Sequence, residues 1–435
     1  MTIPPSKNCE KMFSLLEKFF SSAKDDKPEG IRKTAWKRFL QVGLPNRKSE
    51  EFRYVSLKKL YGESFYPTSS ANLSQEEISP FIYSKSKQSV LVFVNGCYNE
   101  TLSNIEALPK QTSLIPLSEE IEENRPLFLE RWEKALERER DPFSLINASM
   151  YSKGLFLHIP PKSLIASPIQ ILNIIRSERD KEAIMPRIHI SCGNGAKANL
   201  LINEETLSGK NYWINQVVDV SLEENASLQY MDRTNSKANA WRFHTLRASL
   251  KKNAFLKTVH FTEGNNIERN NYEIFLEGEN AETSLNGAWA LNYEKEMHTN
   301  ILIHHQVPSC RSSQLFKGIL NDQSLSSFEG KIYVHPKAQK TEAFQLNKNL
   351  ILSDDAQANS KPNLEILADD VKALHGATVG QLDEEQLYYL RSRGISEEYA
   401  KSLLLLGFCK EIINQIPFDA LQDKITQSIK KCFKG

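Results

Sequence analysis

The sequence predicts a mainly β protein with α-helical segments at both ends. From Gly154 to about Glu365, short runs of alternating apolar residues are separated by Gly, Asn and Asp turns, as in a succession of strands. On either side of this region, apolar residues recur at the spacing of an amphipathic helix. A third observation, the regular distance between turns inside the β region, indicates how the strands are arranged.

Four related turns each precede a strand, and they end at Ala196, Ala226, Ala254 and Ala281. Their successive spacings are 30, 28 and 27 residues. Even spacing of this kind indicates stacked coils, in which each coil buries one face on its neighbours. A parallel β-helix satisfies the pattern. A large β-sandwich remains a competing interpretation, because the later turns at Asp322, Lys337 and Asp355 drift off the period.

The helical ends give the expected domain boundaries. We expect an N-terminal helical domain at residues 1–86, a β core at 87–380 and a C-terminal helical domain at 381–435. A charged stretch at about 118–150 is predicted to be a helical segment within the β core. Near the C-terminus an apolar stripe with helical spacing ends before Pro417 and comprises Ala400, Leu403, Leu404, Phe408, Ile412 and Ile416.

Composition excludes several classes of function. The 435 residues include 55 basic and 54 acidic side chains, a net charge of +1, which argues against general binding of nucleic acid. The six cysteines are scattered, and no two have the close spacing of a zinc site or a redox dithiol. No apolar run is long enough to span a membrane or to form a secretion signal. We therefore expect a cytoplasmic protein with reduced thiols.

One long motif is informative about the family. The residues Leu364–Gly394 read LEILADDVKALHGATVGQLDEEQLYYLRSRG. This stretch closely resembles the C-terminal signature of the SufB/SufD family, and its HGATVG form is similar to the SufD branch. The resemblance extends to Gly43–Glu50, Pro308–Ser312 and Phe328–Ile332, which occur in the order found in the family.

The resemblance implies a fold and a function. It implies a right-handed parallel β-helix flanked by helical domains, and a non-catalytic scaffold subunit of the SUF iron–sulfur cluster assembly complex. The expected partners are a SufB-like paralogue and a SufC-like ABC ATPase, which docks on the C-terminal helices; a homodimer in isolation is the alternative. No cofactor is expected to be held stably by this chain alone. A transient iron–sulfur cluster is expected at the heterodimer interface.

The resemblance also assigns site residues. His375 matches a family histidine implicated in cluster formation, and a hydrogen-bonded structural histidine is the alternative role. The interface motif comprises Asp369, Asp370, His375 and Gly376. At position 373 the family commonly has cysteine, whereas this chain has Ala373, which cannot ligate a metal. The ATPase-docking helices are expected to present Tyr388, Leu390, Arg391, Leu403, Leu404, Phe408 and Ile412.

The sequence also bears on functions other than a SufD-like scaffold. A SufB-like, cluster-bearing scaffold is disfavoured because the cysteines are dispersed. A carbohydrate-active enzyme would rest on the β-helix alone. No catalytic residues are predicted, because no Ser/His/Asp arrangement, nucleophile elbow or phosphate-binding loop is evident. A histidine-rich stretch, for which polar lining of the coils is preferred to a metal site, comprises His298, His304, His305 and His335.

Overall fold

A computed structural model describes residues 7–22, 29–69, 71–117, 132, 135–137, 139–151, 154–235 and 240–432. The middle of the chain forms a parallel β-solenoid, and helices precede and follow it. The N-terminal helices are α1 (Lys7–Ser22), α2 (Glu29–Val42), α3 (Leu57–Tyr61) and α4 (Gln75–Ile78). The predicted helical segment at 118–150 lies partly outside the described residues; its last part is α5 (Pro142–Met150).

The strands are short and evenly distributed. Those before the regular coils are β1 (Tyr66–Pro67), β2 (Val90–Val94), β3 (Cys97–Asn104), β4 (Ser113–Pro116), β5 (Leu155–Ile159), β6 (Ile169–Ile175), β7 (Glu182–Ile184) and β8 (Arg187–Cys192). Those of the regular coils are β9 (Lys197–Thr206), β10 (Tyr212–Leu222), β11 (Ser227–Asn235), β12 (Trp241–Leu250), β13 (Phe255–Thr262), β14 (Ile267–Leu276), β15 (Glu282–Leu291), β16 (Glu296–His305), β17 (Arg311–Leu320), β18 (Leu325–Val334), β19 (Thr341–Ile351), β20 (Gln357–Ile366) and β21 (Val371–Gly380).

Pairing between alternate strands makes the fold a solenoid. One sheet runs β20-β18-β16-β14-β12-β10-β8-β5-β4, and the other runs β21-β19-β17-β15-β13-β11-β9-β6-β2-β3. Each strand of a coil therefore pairs with the strand two further along the chain, and these pairs are parallel. Inward-facing apolar side chains of both sheets form one continuous core. The predicted parallel β-helix is confirmed, and the sandwich interpretation is wrong.

The turn spacing has a clear structural origin. Asn225, Asn253 and Asn280 adopt left-handed backbone conformations, with φ of 60°, 56° and 58°. Asparagine tolerates this conformation better than most residues do. The side-chain amides also stack: Asn253 donates to Asn225 Oδ1 at 3.0 Å, and Asn280 donates to Asn253 Oδ1 at 3.3 Å. Asp322 drifts off the period because it belongs to a second row of turns, with Gly264 and Tyr293.

Three helices follow the solenoid, namely α6 (Glu384–Ser392), α7 (Glu397–Ile413) and α8 (Asp419–Cys432). Buried residues of α7 and α8 pack in one cluster with the outer face of the second sheet, including Val259, Ala288 and Ile319. Asp383 caps α6, and Ser396 caps α7, through hydrogen bonds from backbone N–H groups. Of the helices in the described ranges, none is long and apolar enough to cross a lipid bilayer.

Candidate functional site: the open end of the solenoid

The two ends of the solenoid differ. At the beginning, antiparallel strands β3 and β4 close the edges of the two sheets. At the other end, β20 pairs only with β18 and β21 only with β19 among the described strands. The residues of β21 are all partly or fully exposed. In an inner strand such as β17, by contrast, the residues that face the interior of the solenoid are buried. The last coil therefore leaves two strand edges and its inward face uncovered.

His375 lies in the middle of β21 on its inward face. It is in register with Gln345 of β19, which is buried, and Ala373 is in register with the buried Ala343. The imidazole is exposed only because no further coil covers it. Leu374 points to the opposite face, in register with Phe344, and these side chains are 66% and 42% exposed. The strand thus carries a polar group on one face and an apolar patch on the other.

The paired acids of the interface motif lie in the turn before β21. The backbone N–H of Asp370 donates to Gln339 Oε1 at 2.9 Å, and its carbonyl accepts from the N–H of Lys340 at 2.6 Å. These bonds fix the turn to the previous coil. Five residues of extended strand, about 16 Å, separate Asp370 from His375. The structure therefore places the motif at one end of the molecule but does not bring these carboxylates beside the imidazole.

A group of buried side-chain amides lies behind His375. Gln345 Nε2 donates to Gln314 Oε1 at 2.8 Å, and Asn349 Nδ2 donates to Asn347 Oδ1 at 2.8 Å. Gln345 Oε1 and Asn349 Oδ1 are buried and have no hydrogen-bond partner among the described residues. Sequence reasoning missed these amides. The available signal was the recurrence of amide residues at alternate positions of one predicted strand, Gln345, Asn347 and Asn349.

The docking residues expected on the C-terminal helices separate into two groups. Tyr388 is 74% exposed, and Arg391 and Leu403 are also exposed. Leu390, Leu404 and Phe408 are half-buried. Ile412 is 1% exposed because it packs against the solenoid, so it offers no surface to a partner. The helical stripe that predicted docking is, at Ile412, a core contact instead.

A second concentration of titratable groups is fully buried inside the coils. Arg242 contacts Asp232, Glu268 and Glu204, with N–O distances of 2.8, 3.3 and 3.4 Å. His260 lies 3.2 Å from both Asp232 and Glu268. Burial opposes the charged form of His260, but the hydrogen bonds that these two carboxylates accept from its ring raise its pKa. Each of these charges is buried and has an opposite charge beside it, as in a structural network.

Two members of the histidine-rich stretch, His298 and His305, are buried inside the coils. His298 is buried and its Nε2 lies 3.1 Å from Glu296, a carboxylate that sequence reasoning did not place there. Glu296 also pairs with Lys59 at 2.8 Å and accepts the backbone N–H of Ser56, so it attaches the N-terminal domain to the solenoid. Lys59 and Glu296 line an open cavity of about 260 Å³. Within the described ranges, no three His, Cys, Asp or Glu side chains are grouped to hold a metal ion.

Two protein-family models match this chain, one in its N-terminal part and one in the solenoid and the helices that follow it. The model of the SUF system FeS cluster assembly SufBD core domain matches residues 174–408. The model of the SufBD protein N-terminal region matches residues 6–171. The core-domain match covers the regular coils, the open end, α6 and most of α7. It therefore replaces the carbohydrate-active alternative, which had rested on the solenoid shape alone.

Individual relatives agree with the family models. An iron–sulfur cluster assembly SufBD family protein of Synechocystis is 28% identical over 399 residues, which cover 89% of this chain and 87% of the relative. Iron–sulfur cluster assembly protein SufD of Escherichia coli is 27% identical over 399 residues, 91% of each chain. A SufBD family protein of Mycobacterium leprae is 35% identical over 191 residues, 42% of this chain and 49% of the relative. The chain therefore belongs to the SufBD family of the SUF iron–sulfur cluster assembly system.

Proposed function

We propose that this chain is a SufD-like, non-catalytic scaffold subunit of a cytoplasmic SUF complex. It pairs with a SufB-like paralogue and with a SufC-like ABC ATPase. The observation that carries the proposal is the uncapped end of the solenoid. A long strand edge with exposed apolar side chains is a template for association, and natural proteins normally shield such edges. Seven of the ten residues of β21 are exposed and the other three are partly exposed, and Lys372 is the single formally charged residue of this strand.

The chemistry of the strand edge fits a related subunit as partner. Strand addition uses backbone N–H and C=O groups for affinity and alternate side chains for specificity. A paralogue with its own uncapped last coil would bring the complementary edge and would cover Leu374 and Phe344. The inward face, including His375, would then be enclosed between the two subunits. This arrangement would place the imidazole in a site shared by both chains.

The cluster is the cargo of such a complex and not a resident cofactor of this chain. A cluster normally requires several thiolate or imidazole ligands. His375 is the exposed candidate at the open end, because Ala373 has no ligating atom. The remaining ligands would come from the paralogue, so the cluster would be held only while both subunits are joined.

The environment of the cysteines favours a SufD-like over a SufB-like role. Burial raises the pKa of Cys192 to about 12, that of Cys310 to about 11 and that of Cys409 to about 12. Burial likewise raises the pKa of Cys432 to about 12. The thiolate is the form that ligates iron. These four cysteines are therefore held as thiols, which supports a subunit that does not carry the cluster on its own thiolates.

The ATPase is proposed to dock on the exposed surface of α6 and the start of α7. Tyr388, Arg391 and Leu403 supply an aromatic, a cationic and an aliphatic contact. Tyrosine and arginine are enriched among the residues that dominate binding energy at interfaces. The buried face of α7 anchors this surface to the solenoid. A movement of the ATPase would thus be transmitted to the coils through packed side chains.

Co-expression with SufB-like and SufC-like subunits, followed by mass measurement of the purified complex, tests the partners. We expect Leu374→Asp to lose the paralogue and keep the ATPase, because it charges the strand edge alone. We expect Tyr388→Ala to show the reverse. Tyr293→Asp is the matched control for Leu374→Asp, since Tyr293 is 71% exposed on a turn away from the strand edge. If the wild-type chain associates with neither subunit, the scaffold role is wrong.

His375→Ala in the complex separates a chemical role from a structural one. Complex mass should be unchanged, since the imidazole is not needed for the strand edge, and the yield of reconstituted cluster should fall severalfold. An unchanged yield would contradict the ligand role of His375 and would leave the scaffold role standing.

A further inference from the structure

Two glutamines inside the last coils form a ladder that points at the open end. Gln314, Gln345 and His375 occupy one inward column, because Gln314 is in register with Gln345 and Gln345 with His375. Register neighbours in adjacent strands are separated by about 4.8 Å. The ladder bond, Gln345 Nε2 to Gln314 Oε1 at 2.8 Å, spans one such step. His375 stands one equal step further on.

Because Gln345 donates to Gln314, the side-chain oxygen of Gln345 is left without a hydrogen bond. The amide N–H₂ of Gln345 is directed back along the column, towards Gln314. Its Oε1 atom is buried and has no hydrogen-bond partner among the described residues. A buried acceptor without a partner costs about 1–3 kcal/mol, so native structures normally supply a donor. In an amide ladder the oxygen faces the next rung, and here the next rung is the imidazole.

Packing holds Gln345 in this orientation. A β-carbon at Gly330 of the opposite sheet would lie 1.8 Å from Gln345 Nε2. The amide therefore rests directly against the glycine backbone and occupies the space where any other residue would put its side chain. Gln345 itself is 3% exposed. The amide group of Gln345 is therefore held by the interior of the solenoid and not by the partner.

We infer that Gln345 is a positioning residue for His375. The two side chains are not hydrogen-bonded in this structure, but a rotation of the exposed imidazole would let Gln345 Oε1 accept a ring N–H. The other ring nitrogen would then keep its lone pair towards the open end. This inference rests on the proposed role of His375. Metal-ligating histidines commonly donate their second ring N–H to a carbonyl or carboxylate, which fixes both tautomer and ring orientation. The carboxamide of Gln345 supplies that acceptor from inside the fold.

The opposite arrangement would have a different consequence. If the amide directed its N–H₂ at the ring, the imidazole would use its lone pair as an acceptor, and that nitrogen could not bind iron. The two arrangements are distinguishable, because only the first protects a ring N–H from exchange with water. An exposed imidazole N–H without a partner exchanges too fast to be observed.

The test is NMR of the full-length chain labelled with ¹⁵N-histidine at mildly alkaline pH, where imidazole is neutral. His375→Ala assigns the signal. We expect a ring N–H signal of His375 with slowed exchange in the wild-type chain and in Gln345→Glu, which keeps an oxygen acceptor. In Gln345→Leu, of similar volume, exchange should accelerate at least tenfold and the ¹⁵N shifts should move towards a tautomer mixture.

Asn349→Leu is the matched control, because Asn349 is a buried amide on the same face of β19 whose register neighbour is Val379. It should leave the His375 signal unchanged. A His375 ring N–H that is unprotected in the wild type, or equally protected in Gln345→Leu, overturns the inference. Neither result depends on cluster assembly. Conversely, unchanged cluster yield in His375→Ala contradicts the proposed ligand role without altering the NMR result.

Discussion

Asp141 is a helix cap in a buried position. Its side chain accepts the backbone N–H of Phe143 at 3.1 Å and the hydroxyl of Thr245 at 3.0 Å. Burial, followed by the neighbouring Glu139, raises the pKa of Asp141 to about 6, and the attraction of Arg269 only partly offsets this. The side chain of Asp141 therefore stabilises α5 as its cap, whereas the buried negative charge destabilises the folded state. Asparagine caps helices about as well as aspartate and carries no charge.

Asp141→Asn should stabilise the protein at neutral pH. A folded-state pKa raised from 3.8 to about 6 means that the folded state binds the proton more tightly than the unfolded state. Wild-type stability therefore falls as pH rises from about 4 to about 6 and stays reduced above that range. The variant lacks this loss. We expect a gain of roughly 1–3 kcal/mol at pH 7 and none near pH 4, measured by denaturant unfolding.

Asp383→Asn is the control for this prediction, because Asp383 caps α6 through the N–H groups of Glu385 and Gln386 at an exposed position. Its stability change should be below about 0.5 kcal/mol across the same pH range. A pH profile of Asp141→Asn parallel to that of the wild type would show that Asp141 does not bear a buried charge.

At the scale of the elements, the stacked asparagine turns hold neighbouring coils in register. Asn253 has both a left-handed backbone and two ladder hydrogen bonds, one to Asn225 and one from Asn280. The backbone conformation and the ladder make separate contributions. Glycine would keep the first and lose the second, whereas alanine would lose both.

Asn253→Ala should therefore cost more stability than Asn253→Gly. We expect about 2 kcal/mol for alanine, from backbone strain of 1–2 kcal/mol and the loss of exposed hydrogen bonds, and about 0.5 kcal/mol for glycine. Thermal and denaturant unfolding of both variants provide the measurement. Equal losses in the two variants would mean that the side-chain ladder, and not the left-handed backbone, makes the contribution.

The helices were only partly predictable from their own sequence. The stripe through Leu403, Leu404, Phe408 and Ile412 correctly indicates a helix with an apolar side. It does not indicate whether that side faces the solenoid or a partner, because both surfaces require the same residues. Burial of Ile412 against the second sheet decides the question for the end of α7, whereas Tyr388 of α6 is exposed to solvent in this chain.

At the scale of the whole molecule, the solenoid is closed at its beginning and open at its end. In a stacked array each coil is stabilised by its two neighbours, so a terminal coil without a cap is the least stable part. Among the strands in the described part of the chain, β12–β18 have a neighbour on each side, whereas β20 and β21 each have one. The open end is therefore expected to be locally dynamic until another chain covers it.

Hydrogen–deuterium exchange should reveal this difference. In the isolated chain, amides of 371–380 should exchange at least tenfold faster than those of 325–334, because half of them lack a neighbouring strand. Addition of the SufB-like subunit should slow exchange at 371–380 selectively. Fast exchange that persists in the purified complex would contradict strand pairing at this edge and would require another surface for the partner.

The sequence by itself predicted stacked coils and carried the C-terminal motif, because turn spacing and strand alternation are local properties repeated along the chain. It left a β-sandwich open, and the parallel pairing of alternate strands decided for the solenoid. The Asn-Ala pairs of the turns can be found in the sequence, because asparagine tolerates the left-handed backbone and the alanine after it is buried. The tertiary structure decided which strand edge stays open and what lies beside His375. Gln345 precedes it by 30 residues yet is its register neighbour. Only the closure of one coil brings such distant residues within a strand spacing of each other.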